Sequence, residues 1–151
     1  MGYLVDTNIL LRSCQPDHPM YPTASTAVEV LLTQGENLHV TPQNLVEFWN
    51  VATRPLDHNG LGMTPKQANI EMIKFEALLP VKLDVPAIHQ QWRSLVLHYG
   101  VKGVNVHDAR LTAAAIVHRL THVLTFNVRD FKRYSEIIAV HPDQIKQLIK
   151  G

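Results

Sequence analysis

The chain has little cysteine, no long hydrophobic run and no surplus of charge of one sign. Its one cysteine among 151 residues, Cys14, cannot form an internal disulfide and has no nearby thiolates with which to bind zinc. We therefore expect a reducing compartment, with the cytoplasm as the default location. No segment approaches the roughly 18 apolar residues that span a bilayer, and Asp6 comes too early for an apolar signal peptide. These absences argue against a membrane or exported protein.

Charge is nearly balanced, with 14 Lys and Arg against 13 Asp and Glu and a net charge of +1. The totals thus lack the electrostatic footprint of a dedicated nucleic-acid binder. A local basic patch is present at Arg129, Lys132 and Arg133, beside Asp130. This patch is either a set of phosphate contacts or a solvated surface turn. The chain also lacks a glycine-rich loop of the Walker or dinucleotide-binding type.

The length and an apolar content of 46% fit one compact domain spanning residues 1–151. Short apolar runs alternate with segments of helical periodicity, and the connections are too long for hairpins. This alternation predicts an α/β fold with a central, mainly parallel sheet covered by helices on both faces, a three-layer α/β/α architecture. The predicted strands are 3–5, 38–40, 81–83, 122–125 and 137–140.

Several helix starts are marked by capping residues. Thr41 before Pro42 and Thr64 before Pro65 each place a cap ahead of a proline that favours the first helical position. Other predicted helices cover 24–32 and 85–99, the longest starts at 107–108, and a terminal one starts at 142.

Four carboxylates occupy comparable places in this fold: Asp6 after the first strand, Glu47 inside a helix, Asp108 at a helix start and Asp130 past a late strand. A parallel sheet brings strand exits and helix starts to one edge. Crowded acids raise one another's pKa and are tolerated mainly when a divalent cation neutralises them. Oxygen ligands favour Mg²⁺ or Mn²⁺ over zinc, and the natural substrate of such a site is a phosphodiester.

Each of these aspartates also has a purely structural interpretation. Asp6 could cap its helix by accepting the backbone N–H of Asn8 or Ile9. Asp108 could be the N-cap of the long helix, and Asp130 could cap the turn that follows it. Glu47 has no comparable role, because an uncompensated charge within an apolar helical run is penalised by burial.

Two further chemistries have weak support. His118 and His122 are four residues apart, a spacing that binds zinc on a helix, but no third ligand stands at a recognisable spacing and His122 falls past the predicted helix end. Nothing in the sequence supports Cys14 as a nucleophile.

Four segments together resemble the PIN domain family, and within it the small ribonucleases of the VapC toxin type. In chain order they are Val5-Asp6-Thr7-Asn8-Ile9-Leu10, Asn44-Leu45-Val46-Glu47-Phe48, His107-Asp108-Ala109-Arg110-Leu111-Thr112-Ala113-Ala114 and Leu124-Thr125-Phe126-Asn127-Val128-Arg129-Asp130-Phe131. The resemblance implies a metal-dependent endoribonuclease that uses Mg²⁺, with Mn²⁺ as a possible substitute. It also implies a toxin that acts on RNA, a small antitoxin partner and a homodimer.

The resemblance suggests roles for individual residues. Asp6 is similar to the first metal-binding acid of the family, Asp108 to its partner across the sheet, and Glu47 to the middle acid that holds the cation or orients water. Family members place the fourth acid either directly after the threonine of the late strand or a few residues on. Asn127 stands at the nearer position, so we favour Asp130 as the fourth acid and Asn127 as a contact to the carboxylates or the substrate.

Three further polar residues match positions that border the family's site: Thr7, Asn8 and Thr125. Their hydroxyl and amide groups are suited to fixing the carboxylates or a bound water. Two other functions remain open: a PIN-like module that binds RNA or protein without cutting, and a PIN nuclease outside a toxin–antitoxin pair.

Overall fold

A computed structural model describes residues 2–145 and contains a four-stranded, fully parallel sheet. The strand order is β2-β1-β3-β4, so the first strand lies in the interior of the sheet. The strands are β1 (Gly2–Val5), β2 (Asn37–His39), β3 (His122–Leu124) and β4 (Ile138–Val140). The parallel pairing confirms the predicted fold class.

Seven α-helices that begin and end within the described residues connect and cover these strands. They are α1 (Thr7–Ser13), α2 (Tyr21–Thr33), α3 (Pro42–Thr53), α4 (Pro65–Leu78), α5 (Pro86–His98), α6 (Val106–Val117) and α7 (Val128–Phe131). Two short 3₁₀ turns cover Leu56–His58 and Gly103–Asn105. Among residues 2–145, no helix combines the length and apolar character needed to cross a bilayer.

The predicted caps of α3 and α4 are both present as capping boxes. In α3, the Thr41 hydroxyl accepts the backbone N–H of Asn44 at 3.3 Å, and Asn44 Oδ1 accepts the backbone N–H of Thr41 at 2.9 Å. Thr64 and Gln67 repeat the arrangement at the start of α4, with distances of 3.1 and 2.9 Å. These reciprocal bonds satisfy orphan N–H groups and fix where each helix begins.

The prediction of a strand at 81–83 is wrong. Only an isolated bridge forms there, between Val81 and Val40, and the backbone N–H of Lys82 donates to the Val40 carbonyl at 2.8 Å. The ladder cannot continue because the neighbouring chain turns into α3 at Thr41, directly after Val40. Pro80 also has no N–H with which to extend the pairing.

The start of the long helix also differs from the prediction. The 3₁₀ turn Gly103–Asn105 leads straight into α6, which begins at Val106 with Asn105 at the N-cap position. Asp108 therefore lies in the first turn of α6 and is not its N-cap. The structural interpretation of Asp108 as a helix cap is wrong. In the predicted terminal helix, residues 142–145 are helical, and its remainder lies outside the described residues.

The sheet has an apolar core on each face because side chains alternate along a strand. Tyr3 and Val5 join the core formed with α1 to α4, whereas Leu4 joins the core formed with α5 and α6. Fully buried alanines such as Ala109 and Ala113 allow α6 to pack closely in that second core. The two cores hold the carboxyl ends of the strands in place, where the predicted site residues emerge.

Candidate functional site

Asp6 leaves the carboxyl end of β1 and is held by two hydrogen bonds. Its Oδ1 accepts the backbone N–H of Thr7 at 2.7 Å, and its Oδ2 accepts the hydroxyl of Thr125 at 2.8 Å. Only 7% of the residue is exposed. Asp6 thus is the N-cap of α1, as one interpretation predicted, although its side chain accepts the N–H of Thr7 and not that of Asn8 or Ile9.

Thr125, the residue after β3, organises this corner of the site. It is fully buried, and besides donating to Asp6 its hydroxyl accepts the side-chain amide of Asn8 at 3.3 Å and the backbone N–H of Asn127 at 3.0 Å. One hydroxyl therefore ties the exits of β1 and β3 to each other. The prediction that these polar residues border the acids is consistent with this geometry.

Glu47 is brought to the same place by α3. The hydroxyl of Thr7 donates to Glu47 Oε1 at 3.0 Å, and the side-chain amide of Asn44 donates to the Thr7 hydroxyl at 3.2 Å. Glu47 is half-buried, and this network supplies the compensation that an acid in an apolar run requires. Asn44 was not among the predicted site residues, although its place in the cap pattern that begins at Thr41 was a usable signal.

Three of the four predicted acids open onto one cavity of about 330 Å³. Its walls contain six predicted site residues and three that were not predicted: Asp6, Thr7, Asn8, Glu47, Asp108 and Asn127, with Leu11, Asn50 and Val51. Asn50 lies one helical turn after Glu47, so helical spacing from the acid could have identified it.

The structure distinguishes Asn127 from Asp130, the two candidates for the position of the fourth acid. Asn127 lines the cavity, whereas Asp130 lies in the first turn of α7 and does not. The negative charge of Asp130 nevertheless contributes to the raised pKa values of Asp6 and Asp108. Asp130 therefore lies close enough to the acids to act on them electrostatically.

The surroundings of Asp6 and Asp108 disfavour the charged form of each carboxyl and so raise its pKa. Burial is the main cause that raises the pKa of Asp6 to about 6, with Glu47 and Asp130 adding to it against the two hydrogen bonds that lower it. Burial also raises the pKa of Asp108 to about 7, followed by the charges of Asp6, Asp130 and Glu47. The nearby Arg133, from the predicted basic patch, lowers the pKa of Asp108.

This donor set fits a hard divalent cation only in part. Within residues 2–145, no three His, Cys, Asp or Glu side chains are arranged to hold a metal ion by themselves. Mg²⁺, however, is ordinarily held by one or two carboxylates and completes its shell with waters and substrate phosphates. Buried carboxylates whose charged forms are disfavoured are suitable ligands for such an ion.

The histidine pair does not form a zinc site. His118 ends α6 and bonds the carbonyl of Leu83 at 2.8 Å, while His122 lies in β3 and stacks on Tyr3 with ring centroids 4.7 Å apart. The helix ends between the two histidines, as the sequence indicated.

A parallel α/β sheet with acids converging at its carboxyl edge defines the class of protein. The sequence model of the PIN domain matches residues 3–137, and the chain belongs to the PIN domain family. A comparison with curated proteins finds none that matches.

Solved structures share the fold across most of the chain. A chain of VapBC2 from Rickettsia felis, bound to a DNA fragment from its promoter, is 18% identical with a TM-score of 0.69 and coverage of 93% of this chain and 98% of that one. A chain of VapBC-1 from nontypeable Haemophilus influenzae is 15% identical, with a TM-score of 0.69 and coverage of 95% of this chain and 99% of that one. VapC20 from Mycobacterium tuberculosis, a toxin that cleaves the sarcin-ricin loop, is 17% identical, with a TM-score of 0.56 and coverage of 80% of this chain and 86% of that one. At these identities the likeness confirms the three-layer α/β fold.

Proposed function

We propose that this protein is an Mg²⁺-dependent endoribonuclease, with Mn²⁺ as an alternative ion, and the toxin of a type II toxin–antitoxin pair. The observation that carries the proposal is the cavity in which Asp6, Glu47 and Asp108 converge. Membership of the PIN family and the likeness to toxin structures support nuclease activity. The choice of RNA is supported by the mycobacterial neighbour, an RNA-cleaving toxin.

In this mechanism, Asp6 and Asp108 would hold the ion, with Asp130 contributing negative charge nearby. The chemistry that such an ion would supply when bound is polarisation of the phosphate, a lower pKa for the attacking water and stabilisation of the leaving oxyanion. The Thr125 hydroxyl and the Thr7 N–H hold the Asp6 carboxylate in one orientation before substrate binds. Glu47, held by the Thr7 hydroxyl, orients the water or accepts its proton.

The partners we propose are a small antitoxin that covers the acidic cleft and a second copy of the chain. The Rickettsia and Haemophilus structures are toxin–antitoxin assemblies. Exposed apolar side chains on α4, Ile70 at 48% and Ile73 at 58%, offer a surface that a partner could bury.

The direct test is cleavage of total RNA by purified protein. With Mg²⁺ we expect defined new RNA ends, at least a hundredfold fewer with Asp6→Asn, and none with EDTA. Asp57→Asn is the matched control, because Asp57 is an exposed acid in the 3₁₀ turn Leu56–His58, and it should cut like the native chain. Equal activity in all samples would contradict the proposal.

A second test separates the toxin role from other functions. Inducing the native chain in a bacterial host should arrest growth, whereas the double variant Asp6→Asn, Asp108→Asn should not. Cleavage without arrest would favour a PIN nuclease outside a toxin–antitoxin pair. RNA binding without cleavage under any divalent ion would favour a binding module.

A further inference from the structure

Three cavities lie in sequence along the surface, beginning at the acids. The acid cavity of about 330 Å³ shares Glu47 and Asn50 with a second cavity of about 550 Å³. The second cavity shares Arg110 with a third of about 280 Å³. The three cavities are therefore neighbours, linked through these shared residues from the carboxylates past Arg110.

The third cavity is bordered by two flat rings on one face of α5. His89 and Trp92 are three residues apart, their ring centroids are 5.9 Å apart, and their planes differ by 32°. Trp92 is half-buried, and its Nε1 donates to the Val106 carbonyl at 3.0 Å, which fixes the indole. Aromatic rings beside an arginine are the groups on which unstacked nucleobases stack.

Arg110 is positioned at the junction of the second and third cavities. Its Nη1 donates to Gln43 Oε1 at 3.0 Å, and its Nη2 lies 3.3 Å from an Asp84 carboxylate oxygen. The side chains of Arg110 and Asp84 are 37% and 46% exposed, so water screens this ion pair and it contributes little. A guanidinium has five N–H donors in a planar fork, which allows it to bind a phosphate oxygen in addition to Gln43 or in place of Asp84.

A hydrogen-bond chain ties this arginine to the acid site. Gln43 Nε2 donates to the backbone carbonyl of His107 at 2.9 Å, and His107 directly precedes Asp108 in the first turn of α6. Arg110 itself lies on α6, one turn after His107. Its position relative to Asp108 is therefore set by a rigid element, as a substrate-positioning group requires.

We propose that the third cavity is a nucleobase subsite, in which one base of a single-stranded RNA stacks on Trp92 and His89 while Arg110 binds the adjacent phosphate. This inference rests on the proposed function for the identity of the substrate. The subsite holds a nucleotide beyond the scissile bond, so it sets affinity and the position of the cut. It gives this chain a base contact that its nearly neutral total charge does not predict.

The test uses the Asp6→Asn chain, which we expect to bind RNA without cutting it, and an eight-nucleotide oligoadenylate as the probe. The chain has two tryptophans, so Trp49→Phe leaves Trp92 as the only indole. We expect RNA to quench Trp92 fluorescence, and His89→Ala and Arg110→Gln each to weaken binding about tenfold, within the range for one stacked base. If Trp49→Phe does not fold, fluorine NMR of fluorotryptophan-labelled Asp6→Asn protein should show the Trp92 signal shifting.

The matched control is His98→Ala. His98 is exposed, lies on the same helix and is nine residues from His89, which places it on the opposite side of α5. This variant should bind RNA like its parent. In chains with Asp6 intact, His89→Ala should move or weaken specific cuts, whereas His98→Ala should not.

The proposal is overturned if RNA binds with equal affinity to all these variants and leaves the Trp92 signal unchanged. It is also overturned if His89→Ala alters only the oligomeric state in gel filtration, because the face would then be an interface between copies. Failure of the proposed nuclease function has a different signature. In that case Trp92 still responds to RNA, but the native chain cuts nothing with any divalent ion.

Discussion

At the scale of single residues, the site is built from carboxylates whose ionisation opposes folding. Asp6 and Asp108 have pKa values of about 6 and about 7, above the ordinary 3.8 of an aspartate. In the metal-free chain, the folded state thus binds protons that the unfolded state has already released between about pH 4 and pH 7. The contribution of these two acids to stability therefore falls as pH rises through this window.

This sign gives a prediction for the metal-free protein. Its melting temperature should decrease between pH 5 and pH 8, by an amount equivalent to on the order of 2 kcal/mol once solvent screening of the part-exposed Asp108 carboxyl is taken into account. Asp108→Asn removes one of the charges, so it should flatten the profile and raise stability at pH 8. Calorimetry across the pH range in EDTA checks this, and a profile for Asp108→Asn parallel to the native one would contradict it.

A second prediction concerns the hydroxyl of Thr125, which makes three hydrogen bonds in the site. Thr125→Val leaves Asp6 without its buried donor and leaves the Asn8 amide and the Asn127 N–H without an acceptor. We expect a loss of about 1–3 kcal/mol in unfolding free energy and strongly reduced RNA cleavage. Thr125→Ser retains the hydroxyl and should recover most of both. Urea unfolding and cleavage assays compare the pair, and equal behaviour of the two variants would refute the role.

How much of the site the sequence predicts depends on what each residue contributes. Asp6, Glu47 and Asp108 could be predicted because acids at strand exits and in apolar helical runs are locally unusual, and the structure brings all three to one cavity. Asn44 and Asn50 were not predicted: the cap pattern and the helical spacing from Glu47 place them nearby, but their contacts with Thr7 and with the cavity are made only after folding. The role of Asp130 stays a prediction.

At the scale of elements, α3 carries Glu47 to the cavity, and its start is fixed by Thr41. Thr41→Ala should destabilise the protein by about 1 kcal/mol or more, since it removes a cap and a buried hydroxyl. It should also lower cleavage, because Asn44 in the same box supports Thr7.

Thr64→Ala at α4 is the matched control. The same capping box forms there, but Thr64 is exposed and α4 contributes no residue to the acid cavity. We expect a smaller loss of stability and unchanged cleavage. Chemical unfolding and RNA cleavage of the two variants make the comparison. If Thr64→Ala lost as much cleavage as Thr41→Ala, the claim that the cap of α3 specifically supports the acid site would be wrong.

The elements also show where sequence reasoning ends. Helix starts at α3 and α4 were predictable because their caps are local signals. The segment after Pro80 has the composition of a strand, but pairing depends on a partner, and the partner chain turns into a helix after Val40. Likewise, the start of α6 at Val106 depends on the 3₁₀ turn before it, which no residue pattern marked.

At the scale of the whole molecule, the ion that we propose should couple to folding. Millimolar Mg²⁺ should raise the melting temperature at pH 7.5, because it binds the folded acids and relieves their repulsion. The shift should vanish with EDTA and in the double variant Asp6→Asn, Asp108→Asn. Differential scanning fluorimetry measures it, with Asp57→Asn as the control that keeps the shift. An equal shift in the double variant would place the ion elsewhere.

The interior position of β1 has a consequence during synthesis. Asp6 receives its hydrogen bond from Thr125, 119 residues later, and β1 pairs with β3 near the far end of the chain. At ordinary translation speeds of about 5–20 residues per second, these partners emerge on the order of ten seconds apart. The growing chain therefore cannot assemble its acid cavity until the segment through Asn127 has been made. The nuclease that we propose therefore has no complete acid site until Asp108 and Asn127 have left the ribosome.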